Sequence, residues 1–228
     1  MSLYAIADTH LSFGTDKPMD SFPGWSDYTK RLENNWNHLV TDGDFVVIAG
    51  DISWAMNFDE LKADFDFINR LNGRKIIIKG NHDYWWNTMK KMNAFIEENG
   101  FNTIQIVHNN CVEFDGFSVC GSRGWFFDSE EEQDEKVLNR EVGRIKTSIE
   151  SSHQDDKIVF LHYPPITADG RCDEILDLLK SEGIKECYYG HLHGIAAHSA
   201  VDETVDGIRL KLISADRLGF TPYLIKKF

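Results

Sequence analysis

Residues 45–83 read FVVIAGDISWAMNFDELKADFDFINRLNGRKIIIKGNHD. Two apolar runs, Phe45–Ala49 and residues 75–78, have strand length and are rich in β-branched side chains. Between them, residues 59–71 carry Leu61, Phe65, Ile68 and Leu71 at helical spacing. Asp59 and Glu60 stand at the start of that segment, where the helix dipole favours negative charge. Strand, helix, strand reads as a βαβ unit. Each strand ends in a polar cluster: Gly50-Asp51 after the first, Gly80-Asn81-His82-Asp83 after the second.

The pattern extends both ways. Residues 3–7 form a strand-length run ending at Asp8-Thr9-His10, and residues 28–39 place Leu32, Trp36 and Leu39 on one helical face. Residues 87–98 continue the alternation. Residues 104–107 and 111–120 are strand-like, with Asp115-Gly116 as a hairpin turn. An acidic run from Ser129 to Glu135 opens a helix reaching about Ser151. Lys157–Leu161 reads as a strand ending at His162, residues 173–180 as an amphipathic helix, and residues 187–189 as a strand ending at Gly190-His191-Leu192-His193. Residues 207–215 and 221–226 alternate and read as antiparallel strands. The longest unpatterned stretch, residues 12–25, is expected to form a rim or lid. No linker interrupts the chain, so one α/β domain over residues 1–228 is expected.

Composition narrows the function classes. The 228 residues are 42% hydrophobic and 12% aromatic, enough for a sizeable core, which excludes wholesale disorder. A net charge of −13 excludes gripping nucleic acid or anionic lipid by overall charge, so long nucleic acid is not the expected partner. A phosphate ligand stays open, because bound cations invert a local field. No apolar run approaches the ~20 residues needed to span a bilayer, so no membrane partner is expected. Residues 1–8 lack a basic start and end in a carboxylate, as a first strand would and a signal peptide would not. Cys111, Cys120, Cys172 and Cys187 form no CxxC pair, which fits reduced thiols in a cytoplasmic protein. None of these features sets an oligomeric state.

Five polar clusters stand at strand ends, where open α/β sheets bind ligands. They bring together Asp8, His10, Asp51, Asn81, His162, His191 and His193. This nitrogen and oxygen donor set suits Mn, Fe, Zn or Co and is too rich in histidine for a pure Ca or Mg site. Seven ligands are too many for one zinc with an open position, and fit two metals sharing a carboxylate. Two such ions, ~3.5–4 Å apart, clamp the attacking and leaving oxygens of an in-line displacement and acidify a bridging water. Singly, each cluster has an ordinary reading: a helix cap at Asp51, a turn at residues 80–83, a core histidine at 162. Gly-His-x-His is more specific, since side chains two apart leave a strand on one face.

In this order, from Asp8 to His193, the clusters resemble the calcineurin-like metallophosphoesterases. The resemblance implies a four-layer α/β/β/α sandwich of the metallo-dependent phosphatase type. It implies that Asp8, His10, Asp51 and His193 hold one divalent metal, with Asp51 bridging to a second completed by Asn81, His162 and His191. His82 is similar in position to the family's catalytic histidine, which contacts the phosphate and protonates the leaving group. The implied activity is metal-dependent hydrolysis of a phosphodiester or small phosphomonoester, through a metal-bridging hydroxide. A nucleotide or nucleic-acid phosphodiesterase of the same fold, or a non-catalytic metal-binding scaffold, are the alternatives. Trp54 departs from the pattern: it stands where many members carry the Asp that orients the histidine, and no Arg follows. That argues against a calcineurin-type phosphoprotein phosphatase and leaves the orienting partner of His82 open, with Asp83 as the sequence-adjacent catalytic candidate. Arg123, within Gly121-Ser122-Arg123-Gly124-Trp125-Phe126-Phe127, is a candidate phosphate grip or else a surface arginine in a turn. Trp54, Tyr84, Trp85, Trp86 and Trp125 adjoin motif residues and form a wall for an apolar leaving group, or core and rim packing.

Overall fold

The computed structural model describes residues 1–125 and 135–228. The first half alternates as expected: β1 (Ser2–Ile6), α1 (Tyr28–Leu39), β2 (Phe45–Ala49), α2 (Phe58–Arg70), β3 (Arg74–Ile78), α3 (Met89–Glu98) and β4 (Ile104–Ile106). Asn57 caps α2 by accepting from the Glu60 N–H. A hairpin of β5 (Val112–Phe114) and β6 (Phe117–Ser122) turns at Asp115-Gly116. There follow α4 (Glu135–Glu150), β7 (Lys157–Leu161), the short pair β8 (Ile166–Thr167) and β9 (Gly170–Arg171), α5 (Asp173–Ser181) and β10 (Glu186–Tyr189). The chain ends with β11 (Thr204–Val205), β12 (Ile208–Leu212) and β13 (Tyr223–Lys227). Residues 126–134, which include Phe126, Phe127 and all but the last residue of the acidic run from Ser129 to Glu135, lie outside the described residues.

Among the described residues two large sheets form beside the small β8-β9 pair, with strand orders β13-β1-β2-β3-β4 and β11-β12-β10-β7-β6-β5. Strands β1 to β4 run parallel, as do β6, β7, β10 and β12. The tail differs in part from the expected antiparallel strands. β13 pairs antiparallel with β1, but β12 pairs parallel with β10 and antiparallel only with the short β11. The alternation of Ile208, Leu210 and Leu212 reports one deeply buried face, which either direction of pairing satisfies.

Alternate side chains of each strand enter different cores. Val46 and Ile48 pack with Leu32, Trp36, Phe65 and Phe95 of the first three helices. Val47 and Ala49 join Ile76 and Ile78 against Val119, Ile158 and Phe160 of the second sheet. Val159, Leu161, Cys187 and Leu210 pack with Ile145, Ile149, Ile175 and Leu179 of α4 and α5. Packing thus runs helices, sheet, sheet, helices. The chain after β12 ties the two sheets at their carboxyl ends: Ala7 N–H donates to Ile213 O at 2.8 Å, and Ala215 N–H donates to Ala7 O at 2.9 Å. No described helix is long and apolar enough to cross a membrane.

Candidate metal centre

The sheet-end loops converge. Asp8 and His10 follow β1, Asp51 follows β2, Asn81 and His82 follow β3, His162 follows β7, and His191 and His193 follow β10. His10 Nε2 lies 3.8 Å from Asp51 Oδ2, and His162 Nε2 lies 3.5 Å from Asp51 Oδ1. His162 Nδ1 is 3.9 Å from Asp8 Oδ1. Asn81 Oδ1 sits 2.6 Å from His162 Nε2 and 3.1 Å from His191 Nδ1. Two triplets have all their ligand atoms within 4.8 Å of one another: Asp8, His10 and Asp51, and Asp51, His162 and His191. His193 belongs to neither triplet but its ring centroid stands 5.3 Å from that of His10.

The backbone here is held in a costly conformation. Asp8, His10, Asp51 and His191 have φ of 57°, 43°, 49° and 71°, in the left-handed region where side chains are disfavoured. Hydrogen bonds between the loops hold them there: Asp8 N–H donates to Gly50 O at 3.0 Å and His10 N–H to Asp51 O at 2.9 Å. The buried Tyr28 hydroxyl donates to the His10 carbonyl at 2.9 Å. Both carboxylate oxygens of Asp8 accept from His191 N–H, at 3.0 and 2.9 Å. A Cβ on Gly80 would stand 2.1 Å from Asp51 N, so only glycine lets the β2 and β3 loops touch.

The expected catalytic pairing of Asp83 with His82 is corrected. The Asp83 carboxylate is buried and turned toward the Asp51 loop, accepting from Gly80 N at 2.7 Å, Ile52 N at 2.9 Å, Asp51 N at 3.1 Å and Trp85 Nε1 at 3.1 Å. Ser53 N adds a fifth donor at 3.4 Å, and among the described residues no hydrogen bond joins this carboxylate to the His82 ring. Burial, then the charge of Asp51, push its carboxyl up to about 7. It is a clamp for the loop that presents Asp51. The side chain that meets His82 is Tyr84, with its hydroxyl 3.0 Å from Nδ1. Adjacency to the Gly80–Asp83 cluster was the available signal, and the aromatic reading of Tyr84 concealed it.

Trp54 stacks on His10 with ring centroids 4.8 Å apart at 24°, and lies 4.6 Å from the His82 ring. It walls the His10 side of the pit, while Trp85 belongs to the core. The 12–25 loop adds a residue the sequence did not single out as a site component: Trp25, buried edge-on against His10 and His193. Arg123 is partly buried beside His162, and its carbonyl accepts from the N–H groups of His162 and Tyr163. Its Nη2 lies 3.8 Å from the buried Glu141 carboxylate.

The electrostatics favour a cation in the pit. Burial, then Asp51, raise the Asp8 carboxyl well above the ordinary carboxylate range, and burial pushes Asp51 up to about 6 despite its histidine neighbours. Burial also drives His10 well below the usual imidazole range and His162 down to about 3, so both rings are neutral at physiological pH. Both ring nitrogens of His10 are buried without a hydrogen-bond partner. His162 Nδ1 faces the Ala49 carbonyl at 3.1 Å. A carbonyl only accepts, so Nδ1 carries the proton and Nε2 keeps its lone pair toward Asn81 Oδ1. Imidazole lone pairs, an amide oxygen and two carboxylates converging in this way form the donor set of a divalent transition metal.

The chain matches the calcineurin-like phosphoesterase family over residues 1–194 and belongs to it. Members are hydrolases acting on phosphoric esters, and this chain is one of them. An uncharacterized protein of Methanocaldococcus jannaschii is 30% identical over 128 residues, which are 52% of this chain and 67% of that protein. Among solved structures, the phosphopantetheinyl hydrolase of Mycobacterium tuberculosis superposes with a TM-score of 0.58 at 14% identity, covering 100% of this chain and 96% of that one. A protein of unknown function from Aquifex aeolicus gives a TM-score of 0.53 at 16% identity, covering 98% and 95%. At these identities the likeness is one of fold.

Proposed function

We propose that this chain is a metal-dependent phosphohydrolase with a dinuclear centre of Mn, Fe or Zn, cleaving a phosphodiester or small phosphomonoester in the cytoplasm. The observation that carries the reading is the sharing of Asp51 between two ligand triplets. Asp8, His10, Asp51 and His193 would hold one cation, and Asn81, His162 and His191, with Asp51, the other. When bound, two divalent cations supply Lewis acidity and a strong nucleophile at neutral pH. They also explain how an acidic protein binds an anion.

The remaining residues position and protonate. The His82 side chain is 31% exposed, with Nε2 4.0 Å from Asp51 Oδ2, so it faces the substrate side of the pit. Tyr84 O–H donating to Nδ1 keeps the ring proton on Nε2, where a leaving oxygen would receive it. Trp54 excludes water on one flank and packs against an apolar leaving group. Arg123 meets the substrate on the His162 flank. The free cysteines fit a reducing compartment.

The test is hydrolysis of bis(p-nitrophenyl) phosphate beside p-nitrophenyl phosphate, with Mn²⁺ and with a chelator. Chelator-sensitive cleavage that disappears in a folded Asp51→Asn variant is expected. Bound metal without turnover on either class of ester overturns the reading in favour of a binding scaffold.

A further inference from the structure

A second group of charges lies on the His162 side of the centre, outside the residues assigned to metal. Lys79 directly precedes Gly80-Asn81 and is half-buried. Arg123 follows β6, and Arg144 projects from α4. One carboxylate serves the two arginines: Glu141, 1% exposed, accepts from Ser122 Oγ at 2.9 Å and from Arg144, and lies 3.8 Å from Arg123. The chain places Lys79 there: Ile78, the residue before it, has its Cδ1 2.7 Å from where a Cβ on Gly121 would stand, two residues before Arg123. His108, whose ring is 6.0 Å from that of Trp86, feels the charges of Arg144, Glu141 and Lys79. Among the described residues, these three cations face Glu141 and, at Lys79, Asp83, which leaves a local excess of positive charge in a chain of net charge −13.

Arg123 Nε is buried and meets no acceptor among the described residues, and the same holds for Nε1 of Trp125, two residues further on, and of Trp86, whose ring stands 6.0 Å from that of His108. Lys79 has no ion pair among the described residues either. Buried N–H groups left without acceptors are costly and uncommon. An anion with several oxygens would satisfy both the donors and the charge. The scissile phosphate belongs at the metal ligands, so this cluster suits a different phosphate on the same molecule. We infer that Lys79, Arg123 and Arg144, beside Trp86, form a subsite for a second phosphate group of the substrate, which is therefore a bisphosphorylated small molecule. The inference rests on the phosphohydrolase reading for the position of the first phosphate.

Calorimetric titration of the Mn²⁺-loaded protein with adenosine 3′,5′-bisphosphate and with adenosine 5′-monophosphate reads the second phosphate without requiring turnover. The bisphosphate is expected to bind at least about tenfold more tightly. In Lys79→Met and Arg123→Met, which keep most of the apolar stem, that preference is expected to fall below about threefold. Equal affinities in the wild type, or an undiminished preference in both variants, overturn the subsite. Failure of the two readings is separable. Absent ester hydrolysis with a retained bisphosphate preference removes the enzyme reading and keeps the anion site, whereas hydrolysis without the preference removes the subsite alone.

Discussion

His82 shows how much a single neighbour decides. In the sequence its partner had to be guessed, because Trp54 stands where an orienting Asp was expected. In the structure the partner is the Tyr84 hydroxyl, 3.0 Å from Nδ1. Tyr84 is 48% exposed, so removing its hydroxyl disturbs little packing. Tyr84→Phe is expected to lower kcat on esters with poor leaving groups by about tenfold, less than the 10²–10⁴ of a full general acid. Good leaving groups, which need no proton, should be nearly unaffected. A uniform loss across a leaving-group series would show that Tyr84 does not act through proton delivery. The Asp83 correction belongs to the same scale. A carboxylate goes where the most donors are, and the N–H groups of Asp51, Ile52, Gly80 and Trp85 outnumber anything near His82.

At the scale of elements, the loops after β2 and β3 work as one unit. A methyl added at Gly80 would stand 2.1 Å from Asp51 N and 2.2 Å from Asp51 Oδ1, so moving the carboxylate alone cannot relieve it. Gly80→Ala is expected to destabilise the protein by at least about 2 kcal/mol and to weaken metal binding along with it. Urea unfolding checks the first, and metal titration of the folded fraction the second. A fully stable variant with native metal affinity would show that the two loops need not touch. A second junction joins β1 to the turn before β2: Asp44 accepts from Ser2 N at 2.7 Å, Thr41 N at 2.9 Å and Thr41 Oγ1 at 2.7 Å. Burial alone would raise its pKa, but these hydrogen bonds outweigh burial and the net direction is down. A depressed carboxylate stabilises the fold above its ordinary pKa of 3.8 and loses that contribution as pH falls through the folded value. The stability gap between wild type and Asp44→Asn should therefore be full near about pH 6 and close toward about pH 3. A gap independent of pH would mean that shape, not charge, holds this junction.

At the scale of the whole molecule, two buried carboxylates and the neutral imidazoles of His10 and His162 converge where the sheets meet, and burial has raised both carboxyl pKa values. Divalent metal bound to the folded state alone should raise Tm by roughly 5–10 °C at a hundredfold excess over Kd. Chelation should reverse the rise, and a Tm indifferent to Mn²⁺, Zn²⁺ and chelator would contradict a metal centre. The alternation of strands and helices, the place of each polar cluster at a strand end and the order of metal-type residues were legible along the chain, because hydrophobic period and residue type are local properties. The sequence by itself also determined the acidic balance and the hairpin at Asp115-Gly116. Tertiary structure alone decided the parallel pairing of β12, since one buried face fits either strand direction. It alone decided that Tyr84 and not Asp83 meets His82, that Trp25 closes the His10 side, and that Arg123 and Arg144 gather around one glutamate. Those outcomes depend on where side chains from distant segments point, and burial and hydrogen-bond competition fix that only once the sheets are packed.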